Sequence, residues 1–261
     1  VGPVLDGLGG CRPAFVTLVS DLASAHAWWF DRRAARTLVP TRVARARALA
    51  CGLAPERVRV CGLPVAAAFR AGPRDRAAAR RKLGWEAEQF TALLLGGAEG
   101  MAPLEQIARA LRASAMPMQL AVVCGRNARL RAQLAALHWP FPAHVYGFME
   151  NIATLMSAAD VVVTKAGPST VMEALNCGRP LLLSGAIPGQ EEGNVRMVLE
   201  GGAGWWTPRP EQVLERLRGL RQAGRRELEA AAAAAQKLAA PGAARAVAAE
   251  IVALLPELVI A

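Results

Sequence analysis

The segment VVVTKAGPSTVMEAL, Val161 to Leu175, runs from a β-branched stretch into a helical pattern through a loop holding Lys165, Ala166, Gly167, Pro168, Ser169 and Thr170. The first-turn N–H groups of such a helix have no partners inside it, and with the partial positive charge of the helix start they suit a phosphate. Ser169 or Thr170 can cap that start, and Gly178 and Pro180 end the helix. Lys165, one of three lysines in the chain, is either a point charge beside an anion or an ordinary surface lysine. Thr170 and Glu173 have the spacing of a capping box, which spacing alone favours. The alternative is that the Glu173 carboxylate accepts two hydrogen bonds from a ribose diol.

Four other loops carry comparable chemistry. Gly96, Gly97 and Gly100 follow the apolar run Thr91 to Leu95, where glycines let the backbone approach a diphosphate closely or merely shape a turn. Gly185 to Asn194 crowds Gln190, Glu191 and Asn194 into one segment, a donor and acceptor set that fits a polyhydroxylated ring or a solvated loop. Gly125-Arg126-Asn127 and Gly147-Phe148-Met149 put backbone amides and an aromatic ring where a flat base can be gripped, unless Phe148 is core.

These loops need a scaffold. Apolar runs at Phe90 to Leu95, Leu120 to Cys124, His144 to Gly147, Asp160 to Thr164 and Pro180 to Leu183 alternate with helical segments at Leu104 to Ala113, Asn127 to Leu137 and Asn151 to Ala158. Continuous apolar strands between helices predict a parallel sheet covered on both faces, a doubly wound α/β domain whose ligands sit at the carboxyl ends of the strands. Ala14 to Val19 reads as an earlier strand of a separate region.

Composition narrows the function class. The chain has 261 residues, 53% hydrophobic, enough for a buried core and more than one domain. Cys11, Cys51, Cys61, Cys124 and Cys177 show no metal-ligand spacing; four lie in or beside apolar runs, which predicts a reducing, cytosolic setting. No apolar run reaches the roughly 20 residues of a membrane span. The net charge is +10, and 28 of the 31 basic residues are Arg, clustered at Arg32, Arg33, Arg36, Arg42, Arg45, Arg47 and at Arg70, Arg74, Arg76, Arg80, Arg81, Lys82. Such clusters fit an anionic membrane surface or solvated helix faces; no zinc spacing, RNA-binding aromatic motif or helix-turn-helix pattern points to nucleic acid.

Taken together, VSDLASAHAWWF, CGLPV, GGAEGM, CGRN, GFMEN, TKAGPST and PGQEEGN resemble the monogalactosyldiacylglycerol synthases and related diacylglycerol glycosyltransferases, which are akin to the peptidoglycan N-acetylglucosaminyltransferase. The match runs in unbroken order from Phe15 to Gly204. It implies a GT-B type fold of two Rossmann-like domains, the N-terminal one incomplete here, with a UDP-sugar held by the C-terminal domain and the lipid by the other. On this likeness residues 1–60 are a remnant of the acceptor domain, 61–240 the UDP-sugar domain, and 241–261 a helix crossing back to the first. The resemblance assigns Gly96, Gly97 and Gly100 to the diphosphate and acceptor region, Phe148 to the uracil, Lys165 and Ala166 to Thr170 to the phosphates, and Glu173 to the ribose, with Arg126 also among the donor-binding residues. Gln190, Glu191 and Asn194 would face the hexose and the adjoining phosphates. Ala98 and Ala102 depart from a glycine-richer plant-type loop, and Ser169 stands where Gly is common.

What the resemblance implies about activity is an inverting transfer of galactose or glucose from a UDP-sugar to diacylglycerol, on a peripheral membrane protein of the cytoplasmic side. It requires no cofactor or metal. The general base is expected upstream of this sequence, with Asp21 and His26 as the candidates within it, and Trp28, Trp29 and Phe30 as an aromatic surface for lipid. Basic clusters near a membrane would bind anionic headgroups at roughly 1 kcal/mol per residue. Two rival readings share the residues: a UDP-sugar epimerase, and a non-catalytic module that binds nucleotide or membrane.

Overall fold

The computed structural model describes residues 14–70, 75–97 and 103–255. Its described residues pack as two units, one within Val1–Val65 and Gly242–Ala261, the other within Ala66–Pro241.

The larger unit is a six-stranded parallel sheet. Its strands are β4 (Thr91–Leu95), β5 (Gln119–Val123), β6 (Ala143–Tyr146), β7 (Val161–Lys165), β8 (Leu181–Gly185) and β9 (Gly204–Trp206), in the spatial order β6-β5-β4-β7-β8-β9. All five residues of β4 and of β5 are buried, as expected of strands covered on both faces. The chain winds outward from β4 to β6, returns, and winds the other way from β7, so β4 and β7 flank the switch point at which doubly wound sheets hold ligands.

The covering helices follow from apolar spacing. In Leu104–Ser114, Leu104, Ile107, Ala108 and Leu111 recur at helical intervals and are buried, and this helix packs on Pro210–Gln222 through Val213, Leu217 and Leu220. Each buried leucine removes apolar surface worth about 1.5–3 kcal/mol. The helix Pro168–Asn176 turns Val171, Ala174 and Leu175 inward, which leaves Thr170 and Glu173, three apart, on another face.

The smaller unit holds a three-stranded parallel sheet in the order β1 (Val16–Leu18), β2 (Arg36–Val39), β3 (Val58–Val60), with the helix Arg42–Ala50 against β3. Its core gathers Val19, Phe30, Val39, Ala44, Ala48 and Val58. Phe30 is therefore core, not lipid-facing surface; Trp28 and Trp29, 88% and 55% exposed, are the surface aromatics. The helix Ala243–Val252 belongs to this unit, where Glu250 lies 3.5 Å from Arg36 and 3.6 Å from Arg59.

Parts of the basic clusters are structural. Arg80 is 3% exposed and donates to the carbonyls of Ala158 and Ala87 and to Asp160, and Arg76 pairs with the same carboxylate. Asp160 lies 80 positions along the chain from Arg80, so sequence proximity concealed the partner. Arg74 and Cys11 lie outside the described residues. Cys51, Cys61, Cys124 and Cys177 are thiols, and burial pushes Cys124 up to about 11, as befits a core side chain. Among the described residues no helix is long and apolar enough to cross a membrane.

Candidate functional site

At the carboxyl ends of β4, β5 and β7 lies a cavity of about 600 Å³, lined among others by Gly96, Gly97, Gly125, Phe148, Thr170 and Glu173. Its floor comes from the β4 loop. Gly96 donates to the Val123 carbonyl at 3.3 Å, and Gly97 adopts φ +72°, where a side chain would be strained and bare backbone is left facing the opening. Phe148 is 57% exposed at the rim, and the Arg126 guanidinium sits 5.3 Å from its ring centre. A flat aromatic face with a cation beside it suits a planar base.

Glu173 forms the wall opposite in chemistry. Its carboxylate makes no hydrogen bond or ion pair among the described residues, and burial alone pushes its pKa up to about 7. The capping box is absent. The helix starts earlier than the Thr170–Glu173 pattern suggests: Gly167 is the N-cap, Pro168 occupies the first helical position, and Ser169 and Thr170 lie inside the first turn. Proline's fixed φ and missing N–H favour that position, so it overrides the hydroxyl caps.

The neighbouring junction is built differently. The Lys165 ammonium meets the Glu191 carboxylate at 2.5 Å, and the other Glu191 oxygen accepts from the Ile187 N–H at 2.9 Å. Glu191 is 2% exposed. Asn194, equally buried, donates to the Ala166 carbonyl at 2.8 Å, while its own amide oxygen has no partner among the described residues. Gly167 makes room for this clasp, since a Cβ there would lie 3.0 Å from the Lys165 ammonium.

The sequence-predicted residues thus separate into groups. Gly96, Gly97, Phe148, Thr170 and Glu173 line one cavity, with Arg126 beside Phe148. Lys165, Ala166, Gly167, Glu191 and Asn194 form the adjoining clasp, in which Glu191 turns inward to protein donors instead of outward to a sugar. Ser169 and Gln190 are exposed. Gly100 lies outside the described residues, as do Ala98 and Ala102. Phe69 also lines the cavity and was missed: a single aromatic in a short turn before any motif carries no signal.

Asp21 and His26 belong to the smaller unit. Asp21 is buried; His26 is exposed and its Nδ1 accepts from the Trp28 N–H at 3.2 Å, capping the turn Ala27–Trp29. Among the described residues no cluster of three His, Cys, Asp or Glu side chains could hold a metal ion.

The two parallel sheets, six-stranded and three-stranded, make this an α/β protein of the GT-B glycosyltransferase fold. The same fold is seen in MurG of Acinetobacter baumannii (TM-score 0.67, 21% identity, 97% of this chain and 69% of that one). It also appears in Anabaena Alr3699/HepE, solved in complex with UDP and glucose (TM-score 0.61, 16% identity, 94% and 72% covered). Residues 91–245 match the glycosyltransferase family 28 C-terminal domain, and the chain belongs to that family. Monogalactosyldiacylglycerol synthase 1 of Arabidopsis thaliana, a chloroplastic protein, is 36% identical over 234 residues, which is 87% of this chain and 44% of the relative; the chain spans less than half of that protein's length.

Proposed function

We propose that this chain carries the donor-binding domain and part of the acceptor side of a UDP-hexose:diacylglycerol hexosyltransferase, similar to the monogalactosyldiacylglycerol synthases. The observation that carries the reading is the switch-point cavity walled by a carboxylate that has no partner among the described residues. Each lining group has chemistry for one part of a UDP-sugar. Glu173 accepts from the two ribose hydroxyls, Phe148 with Arg126 covers the uracil, and the Gly96-Gly97 backbone and the Pro168–Asn176 helix start meet the diphosphate. Gln190, exposed in the loop after β8, is the group assigned to the hexose.

In this reading a base on the acceptor side takes the proton of the glycerol hydroxyl. The oxygen attacks the anomeric carbon, the bond to the diphosphate breaks, and UDP departs with inversion. The charge developing on the diphosphate is met by amides already fixed in place, so the site need not reorganise during the reaction. Asp21 and His26 are the acceptor-side candidates, and Trp28 and Trp29 offer apolar surface to the lipid from a peripheral position on the cytoplasmic face of a membrane.

The test is the full-length gene product incubated with diacylglycerol vesicles and labelled UDP-galactose or UDP-glucose. Acceptor-dependent release of UDP with a labelled glycolipid is expected. Isomerisation of UDP-hexose without acceptor would replace this reading with an epimerase. Vesicle binding without transfer would leave a non-catalytic module.

A further inference from the structure

The opposite end of the six-stranded sheet, where its strands begin, holds a second polar cavity. It has about 250 Å³, and its lining includes Arg76, Asp160, Arg179 and Pro180, with Arg225 and Glu229 exposed on its helical side. Asp160 immediately precedes β7 and Pro180 precedes β8, so the cavity lies at the amino ends of these strands, away from the cavity described above.

Arg179 is fixed there by its backbone. Gly178, at φ +65°, closes the Pro168–Asn176 helix, and the Arg179 N–H bonds back to the Ala174 carbonyl at 2.9 Å, the bond that ends a helix on a left-handed glycine. The side chain is then carried inside, 8% exposed, with its Nε buried and without a hydrogen-bond partner among the described residues. Asp160 attracts it but is not hydrogen-bonded to it. One Asp160 oxygen accepts from Arg76, and the other accepts from Arg80 at 2.8 Å and from the Thr91 N–H at 2.8 Å.

Three guanidinium groups therefore share a single aspartate, a surplus of two positive charges among these four groups. An arginine keeps its proton in proteins, so a buried guanidinium without an acceptor is costly. Burial, followed by the repulsion of Arg76, pulls its pKa below the usual arginine value, in line with the missing acceptor. The lack calls for an anion with several acceptor oxygens. The volume suits a small one, being well under half that of the donor cavity.

We infer that Arg179, with Arg76 at its side, forms a binding site for a small tetrahedral oxyanion of the inorganic phosphate class at the amino end of the sheet. A dianion matches the two surplus charges, and the planar guanidinium fork matches its oxygens. The site is independent of the donor reading and stands whether or not UDP binds.

Thermal unfolding of the full chain, titrated with inorganic phosphate at constant ionic strength set by chloride, tests it. A saturable rise is expected, about 5 °C at roughly a hundredfold excess over Kd. Arg179→Met removes a buried charge that has no hydrogen-bonded acceptor among the described residues: it should unfold at the same or higher temperature without phosphate and lose the rise. Arg76→Gln should keep the fold and shift the titration about tenfold to higher phosphate. No saturable rise would mean that water alone fills the cavity and would overturn the inference, as would an equal rise in Arg179→Met, which places phosphate elsewhere. If Arg179→Met does not fold, the decision rests on Arg76→Gln, where an unshifted titration overturns the site.

Discussion

Glu173 and Glu191 sit beside adjacent strand-to-helix junctions of one sheet, and the protein treats their carboxylates in opposite ways. Glu191 is buried and engaged twice, by the Lys165 ammonium and the Ile187 N–H. Glu173 is largely buried and engaged by nothing among the described residues. A buried acceptor that is satisfied fixes a loop; one that is not satisfied is a standing cost that a ligand with hydroxyl groups can relieve. The contrast distinguishes a residue that shapes the site from one that meets its contents.

Breaking the clasp should have the largest effect on stability. Glu191→Ala leaves the Ile187 N–H and a half-buried ammonium without partners, and about 2–3 kcal/mol should be lost on chemical denaturation. A neutral result would mean that Lys165 simply turns to solvent and that the clasp holds nothing. Glu173→Gln should do the reverse. UDP affinity by calorimetry should fall roughly thirtyfold, the worth of charge-assisted bonds to a diol, with the melting temperature unchanged or slightly higher. A large loss of stability without loss of affinity would make the two carboxylates equivalent.

Proton linkage sharpens the same contrast. With its folded pKa raised from 4.5 to about 7, Glu173 keeps its proton in the folded state after the unfolded chain has lost it. The ligand-free protein should therefore lose stability as pH rises from about 4.5 to about 7 and change little from this group above that, and Glu173→Gln should remove that slope. A diol needs the ionised acceptor, so the affinity for UDP-hexose should rise with pH up to and through about 7. The smallest effect expected is that of Phe148→Ala, about fivefold in UDP affinity, because an exposed ring contributes roughly 1 kcal/mol by stacking.

Much of the larger unit was legible because its central strands are buried on both faces and read as unbroken apolar runs: TALLL at β4, VVVTK at β7 and LLLSG at β8. The strands β2, β3 and β9 were not legible, being three or four residues long, with arginine in two of them. The candidate site was readable to the extent that it lies in loops after strands, which is how Gly96, Gly97, Phe148 and Glu173, all in the lining of one cavity, were singled out. Side-chain direction was not readable. Nothing in PGQEEGN distinguishes an inward Glu191 from an outward Gln190, and nothing near Arg80 announces that its partner is Asp160.

Pro168 sets a limit on what its helix can hold. As the first helical residue it has no N–H to give, and the Val171 N–H is already directed to the Gly167 carbonyl, so only the amides of Ser169 and Thr170 point outward. Two donors are enough for one tetrahedral group and too few for a pair. On the proposed reading a diphosphate at this junction would therefore be shared between unlike hosts: one half would face the helix, while the other would depend on the glycine turn after β4, where the sequence rather than a dipole sets the closeness of approach.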